Sequence, residues 1–172
     1  MKKLLLGLVF LFFALCNCCE AKSIKFVQIT DTMYGKNNAN EILDNAVKDI
    51  NEMKDIDFVV FTGDNTANAN VDYLQGFVKS VKKLNKPFYI VVGDRDVSKS
   101  KHLEKEVYAK KLHKLLGRKS PETLNYTFKK GKVAFIAVDG AKDFITMPNG
   151  YFNSTTLEWL ENQINLNKDN KI

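Results

Sequence analysis

The chain has 172 residues, which is enough for one domain with a substantial hydrophobic core. Its share of 45% apolar and 27% charged residues is ordinary for a globular protein and excludes an intrinsically disordered chain. The formal net charge of +6 comes mainly from lysines scattered among acidic residues, with Arg95 and Arg118 as the two arginines, so we expect a solvated surface and no nucleic-acid partner.

The first 21 residues have the pattern of an export signal. A lysine pair precedes an apolar run at residues 4–15, which is too short to span a bilayer. Cys19 and Ala21 supply the small residues that a signal peptidase requires at positions −3 and −1. We therefore predict a signal peptide over residues 1–21, a domain over residues 22–172 with no membrane span, and a periplasmic location.

All three cysteines lie inside this leader, namely Cys16, Cys18 and Cys19. If cleavage follows Ala21, the mature chain has no thiol and therefore no disulfide, no zinc–thiolate site and no cysteine nucleophile. The alternative is a lipoprotein anchored at Cys16. Leu15 weighs against it, because lipoprotein signals usually carry a small residue at that position.

After the leader, apolar runs of strand length alternate with segments of helical periodicity. Strands are predicted over residues 23–30, 57–62 and 88–92 from β-branched and aromatic runs. Between them, the apolar spacing predicts amphipathic helices over residues 40–53 and 71–84. This alternation implies right-handed crossovers and a parallel sheet, which is an α/β fold.

The second half of the chain continues with helices and a hairpin. A third helix is predicted over residues 102–116, followed by two alternating runs over residues 124–128 and 132–138 that form a β-hairpin. Thr155 and Glu158 have the spacing of a capping box, which predicts the start of a last helix. The sequence contains no repeat, low-complexity tract or linker that would support a second domain.

Each of the three predicted parallel strands ends in polar residues that include an aspartate. These are Asp31, Asp64 and Asp94, separated by 33 and 30 residues, an interval that suits one strand–helix unit. Because the carboxyl ends of parallel strands meet at one edge of a sheet, we expect the three carboxylates to gather there. Any one of them alone is more simply a loop carboxylate that accepts backbone hydrogen bonds, and only their order and spacing together favour a site.

In order and spacing these segments resemble the calcineurin-like metallophosphoesterases, whose pattern is Asp-x-His, then Gly-Asp, then Gly-Asn-His-Asp/Glu. The segments at residues 135–139 and 157–161 are also similar to this family, so the resemblance extends from about Ile24 to the end. It implies a four-layer αββα sandwich with metal ions between the strand-end loops. It also implies that this chain is the N-terminal portion of the domain, incomplete at the C-terminus.

The resemblance assigns metal-binding roles to the three aspartates. Asp31 would bind the first metal, Asp64 would bridge both, and Asp94 would bind the second with a carboxylate where the family has an asparagine. The implied cofactors are divalent or trivalent ions of manganese, iron or zinc, and the implied substrate is a phosphoester. A two-metal centre of this kind neutralises phosphoryl oxygens and supplies a hydroxide at neutral pH.

Two departures from the family pattern concern its histidines. Met33 stands at a metal-ligating histidine position, and a thioether is a poor ligand for these ions beside carboxylates. Arg95 stands at the catalytic histidine position, but its guanidinium stays protonated and cannot act as a general acid. Arg95 could clamp a phosphate, or it could neutralise Asp64, Asp94 and Asp96 in the absence of a metal. His102 and His113, ~16 Å apart along the predicted third helix, cannot together restore one metal site.

Two functional hypotheses follow. The first is a periplasmic, metal-dependent phosphoesterase that is weakly active or inactive as this chain alone, with a complementary C-terminal polypeptide as a partner that would complete it. The second is a non-catalytic fragment or binding protein that retains the fold.

Overall fold

The computed structural model describes residues 23–117, 120–144 and 149–172. The predicted signal peptide, the cysteines within it and Arg118 lie outside these residues. In the part of the chain that is described, no helix is both long and apolar enough to cross a membrane.

A parallel three-stranded sheet forms the centre of the fold. Strands β1 (Phe26–Ile29), β2 (Phe58–Thr62) and β3 (Phe88–Val91) lie in the order β1-β2-β3. Helices α1 (Ala39–Glu52) and α2 (Val71–Val81) connect them. The predicted parallel sheet with two helical crossovers is therefore confirmed, and the strands are shorter than predicted.

The two crossover helices pack on one face of this sheet. Phe61 of β2 and Phe77 of α2 meet edge to face, with ring centroids 5.4 Å apart, and both side chains are fully buried. Leu43, Val47 and Ile50 supply the buried stripe of α1. This core holds the strand ends at fixed positions relative to one another, and the loops that follow the strands inherit that geometry.

The third helix, α3 (Lys105–Leu116), begins later than predicted. Ser98 and Leu103 exchange two backbone hydrogen bonds of 2.8 and 2.9 Å, which hold this segment in an extended pairing so that the helix cannot start before Leu103. His102 closes a short 3₁₀ turn with a left-handed φ of 55°. The prediction that His102 and His113 share one helix is therefore wrong.

The hairpin consists of β4 (Tyr126–Lys130) and β5 (Val133–Ala137), paired antiparallel. Its turn comprises Gly131 and Lys132, so it shares Gly131 with the predicted loop at residues 129–131 and ends one residue later. Gly131 has a φ of 54°, which glycine adopts without a steric penalty. The hairpin is therefore confirmed, and its two-residue turn begins at Gly131, which tolerates a left-handed backbone.

Aromatic rings join the hairpin to the second face of the parallel sheet. Phe58 of β2 lies 5.4 Å from Phe128 of β4 and 5.1 Å from Phe135 of β5, measured between ring centroids. Phe58 is fully buried, and Phe26 stacks on it at 4.9 Å. The two sheets are therefore packed face to face, with the helices α1 and α2 on the outside of the first.

The last helix, α4 (Ser154–Leu166), lies beside the hairpin, where Trp159 lines a cleft with Phe128. Its N-cap is Asn153, whose side chain accepts a hydrogen bond from the amide of Thr156 at 2.8 Å. The predicted capping box is therefore wrong, because an asparagine two residues upstream of Thr155 already caps the helix. The predicted α/β fold class is therefore confirmed. The fold consists of the parallel sheet with its helices, the hairpin sheet and the final helix.

Candidate functional site

The loops after the three parallel strands meet at one edge of the sheet. The amide of Asp31 donates to the carbonyl oxygen of Gly63 at 3.1 Å, joining the first loop to the second. The amide of Arg95 donates to Asp64 Oδ1 at 3.3 Å, joining the third loop to the second. Asp94 is adjacent to this contact, and the structure thus brings the three strand-end aspartates to the same edge.

Three non-glycine residues next to the site, in the first two loops, have a left-handed backbone. Their φ angles are 55° at Asp31, 49° at Met33 and 51° at Asp64. Aspartate tolerates this conformation better than methionine, and each such residue costs on the order of 1 kcal/mol. The amide of Met33 donates to the carbonyl oxygen of Asp64 at 3.0 Å. Contacts between the loops therefore stabilise a backbone geometry that is unfavourable for these residues on their own.

A buried carboxylate, that of Asp96, ties the second loop to the third. Its Oδ1 accepts hydrogen bonds from the amide and the hydroxyl of Thr66, at 2.8 and 2.9 Å. Its Oδ2 accepts from the amide of Gly93 at 2.9 Å and from the amide and side-chain nitrogens of Asn65 at 3.2 and 3.0 Å. Burial raises the pKa of Asp96, and these hydrogen bonds oppose that rise.

The sequence predicts Asp96 as one of the carboxylates that Arg95 could neutralise and indicates no structural role for it. The sequence shows Asp96 at the final position of the Gly-Asn-His-Asp/Glu pattern, but it does not show that the side chain is buried. The fully buried side chain shows that this aspartate organises the site from beneath.

Asp64 and Arg95 form an ion pair at the surface of the site. Arg95 Nε lies 3.2 Å from Asp64 Oδ2, and the exposed fractions of the two side chains are 46% and 18%. Burial raises the pKa of Asp64 to about 6, the backbone N–H of Arg95 opposes the rise, and the charges of Asp94 and Asp96 add to it. Of the two roles left open for Arg95, the geometry favours neutralisation of the carboxylates.

The metal-ligand roles of Asp31, Asp64 and Asp94 stay a prediction. Across the described residues, no group of three or more His, Cys, Asp or Glu side chains is arranged to hold a metal ion. The side chain of Asp31 is exposed and accepts a hydrogen bond of 2.6 Å from the Thr30 hydroxyl. Asp64 is engaged by Arg95. As arranged, these side chains do not fit the two-metal centre that the resemblance implied.

A cleft of about 210 Å³ lies beside Asp31, between the first loop and α1. It is lined by Met33 and by apolar residues that include Ile42 and Leu43, and Asp31 is the one carboxylate among its lining residues. Asp31 therefore faces different surroundings from Asp64.

Comparison with known proteins supports the same family. A family model described as calcineurin-like phosphoesterase matches residues 24–172. A curated protein of Arcobacter nitrofigilis, named "Probable glycerophosphodiester phosphodiesterase GpdQ", is 28% identical over 158 residues, which cover 85% of this chain and 54% of that protein. This chain therefore spans about half the length of the curated relative. Because the family model matches most of the chain, the protein belongs to the calcineurin-like phosphoesterase family.

Proposed function

We propose that this chain is an exported phosphoesterase-family protein whose strand-edge site binds a phosphoester and, by itself, hydrolyses it weakly or not at all. Family membership supports a phosphoester substrate, and the name of the curated relative supports a phosphodiester. The observation that carries the proposal is the ion pair between Asp64 and Arg95. The resemblance gives Asp64 the role of bridging two metal ions, but its carboxylate is paired with Arg95.

The side chains at this edge lack a group that can protonate a leaving oxygen. The guanidinium of Arg95 remains charged near neutral pH and does not release a proton. With a pKa raised to about 6, Asp64 is mostly ionised at pH 7, and its contacts with the backbone N–H and Nε of Arg95 favour that ionised, acceptor form. A phosphoester can therefore be held by Arg95, but its hydrolysis lacks a general acid among these residues.

The direct test is hydrolysis of bis(p-nitrophenyl) phosphate and p-nitrophenyl phosphate in the presence of Mn²⁺, Zn²⁺ or iron. We expect rates on the order of 10³-fold or more below those of a family member with its histidines, because both a ligand and the acid are replaced. Asp64→Ala is the test variant, and Asp55→Ala, whose side chain is 79% exposed, is its matched surface control. Robust turnover that disappears in Asp64→Ala and persists in Asp55→Ala would refute weak or absent catalysis.

The same assay and a binding measurement address the two accompanying hypotheses. Adding a polypeptide equivalent to the second half of the curated relative tests the predicted complementary C-terminal partner, and a gain in turnover would support it. Calorimetric titration with bis(p-nitrophenyl) phosphate tests the alternative of a binding protein without turnover. The half-exposed guanidinium of Arg95 favours that alternative, and unchanged binding in Arg95→Ala would count against it.

We also propose export to the periplasm, on the basis of the leader sequence. Removal of residues 1–21 would leave a mature protein that begins at Lys22 and contains no cysteine. Mass spectrometry of the protein purified from the periplasmic fraction should give the mass of that species. A lipid-modified N-terminus at Cys16 would instead support the lipoprotein alternative.

A further inference from the structure

Arg95 contacts both carboxylate oxygens of Asp64 through two different groups. Its backbone N–H donates to Oδ1 at 3.3 Å, and its side-chain Nε lies 3.2 Å from Oδ2. A carboxylate that bridges two metal ions must direct free lone pairs at both of them, through one oxygen or through two. In this chain each oxygen of Asp64 is already in contact with a donor group of Arg95.

The arginine is also the local counter-charge of an acidic cluster. Asp94 and Asp96 flank Arg95 in the third loop, and Asp96 Oδ2 accepts a hydrogen bond of 3.2 Å from the amide of Asn65, the residue that follows Asp64. In the described part of the chain, the pair of Arg95 with Asp64 is the one ion pair within 4.0 Å that involves any of these three carboxylates. Its charge therefore does what a bound metal ion would do, which is to permit several carboxylates at one sheet edge.

A divalent ion at Asp64 would meet two obstacles. It would have to displace the Nε contact of Arg95, and it would then lie beside a guanidinium that cannot lose its proton. Asp31, the aspartate of the first loop, is exposed, and its Oδ2 accepts a hydrogen bond from the Thr30 hydroxyl. Asp94, which is half-buried beside Arg95 in the third loop, would have to compensate for this repulsion.

We propose that Arg95 is a built-in substitute for a metal cation at Asp64, so that the side chain which stabilises this acidic edge also excludes divalent metals from it. The inference rests on the proposed function in that both concern Asp64, but it makes a statement about metal binding that is independent of turnover. Removing the charge of Arg95 should free the carboxylate of Asp64 from its ion pair, so that its oxygens become available to a metal ion.

The test measures Mn²⁺ binding by the electron paramagnetic resonance signal of the free ion, on wild-type protein and on Arg95→Ala. We expect at least about tenfold tighter binding by the variant, and Arg95→Gln should show the same direction, so the test does not depend on one variant folding. Lys99→Ala is the matched control, because it removes an exposed positive charge nearby without touching the pair. The double variant Asp64→Ala/Arg95→Ala should lose the gain.

Equal affinity in wild type and Arg95→Ala, or an equal gain in Lys99→Ala, would overturn the inference. So would wild-type binding that Arg95→Ala weakens. The two proposals fail separately: hydrolysis without Mn²⁺ binding by the wild type contradicts the proposed function alone. Tight Mn²⁺ binding by the wild type without hydrolysis contradicts only the proposal that Arg95 takes the place of a metal cation at Asp64.

Discussion

Replacing Asp96 by alanine is expected to lower the free energy of unfolding by about 4 kcal/mol. The carboxylate is fully buried and accepts hydrogen bonds from three backbone amides, those of Asn65, Thr66 and Gly93. Alanine leaves these donors unpaired in the interior, and each buried unpaired donor costs about 1–3 kcal/mol, which water entering the cavity relieves in part. Urea denaturation followed by circular dichroism measures the effect.

Asp94→Ala is the matched control for this experiment. Asp94 lies in the same loop and is only half-buried, and removing its charge next to Asp64 relieves repulsion. We expect a change of less than about 1 kcal/mol. Asp96→Asn should lie between the two, because an amide keeps one acceptor oxygen and directs an NH₂ group at the remaining donors. Identical urea midpoints for Asp96→Ala and Asp94→Ala would show that the buried hydrogen bonds do not stabilise the fold.

Replacing Gly93 by alanine is expected to lower the free energy of unfolding by about 3 kcal/mol. A Cβ atom at this position would overlap the amide nitrogen and Oδ1 of Asp64, and it would lie 2.9 Å from the carbonyl carbon of Gly63. Two of these three atoms belong to the backbone of the neighbouring loop, so rotating the Asp64 side chain alone cannot relieve the clash. The second and third loops would have to separate, which would also strain the hydrogen bond from the Gly93 amide to Asp96.

The matched control is Gly150→Ala. A Cβ there would lie 3.7 Å from the carbonyl oxygen of Gly140, which is an ordinary van der Waals distance, and its backbone does not require glycine. We expect a change within about 0.5 kcal/mol, measured by the same urea titration. If Gly93→Ala were as stable as Gly150→Ala, the close approach of the two loops would not constrain the choice of residue at position 93.

The sequence alone determined the architecture that positions the site. The alternation of apolar runs with helical periodicity predicted the parallel sheet, and parallel strands share one carboxyl edge. Asp31, Asp64 and Asp94 could therefore be placed at the same edge from their order and spacing. These inferences succeed because strand and helix patterns depend on residues close together in the chain, which the sequence shows directly.

Element boundaries were less predictable because they depend on pairings between neighbouring segments. The backbone bridge between Ser98 and Leu103 delays the third helix, and the side chain of Asn153 caps the last one. In both cases a competing local hydrogen bond decided where the helix begins.

Only the tertiary structure decided what the acidic residues at the edge do. Asp94, Arg95 and Asp96 are consecutive, yet one is half-buried, one pairs with Asp64, and one is fully buried beneath the loops. Their partners, Asp64 to Thr66, lie about 30 residues earlier in the chain, as the separations of 30 and 31 residues in the hydrogen bonds show. The sequence therefore determined that these loops meet, while the distances between loop atoms, which no local pattern encodes, decided which carboxylate is paired and which is buried.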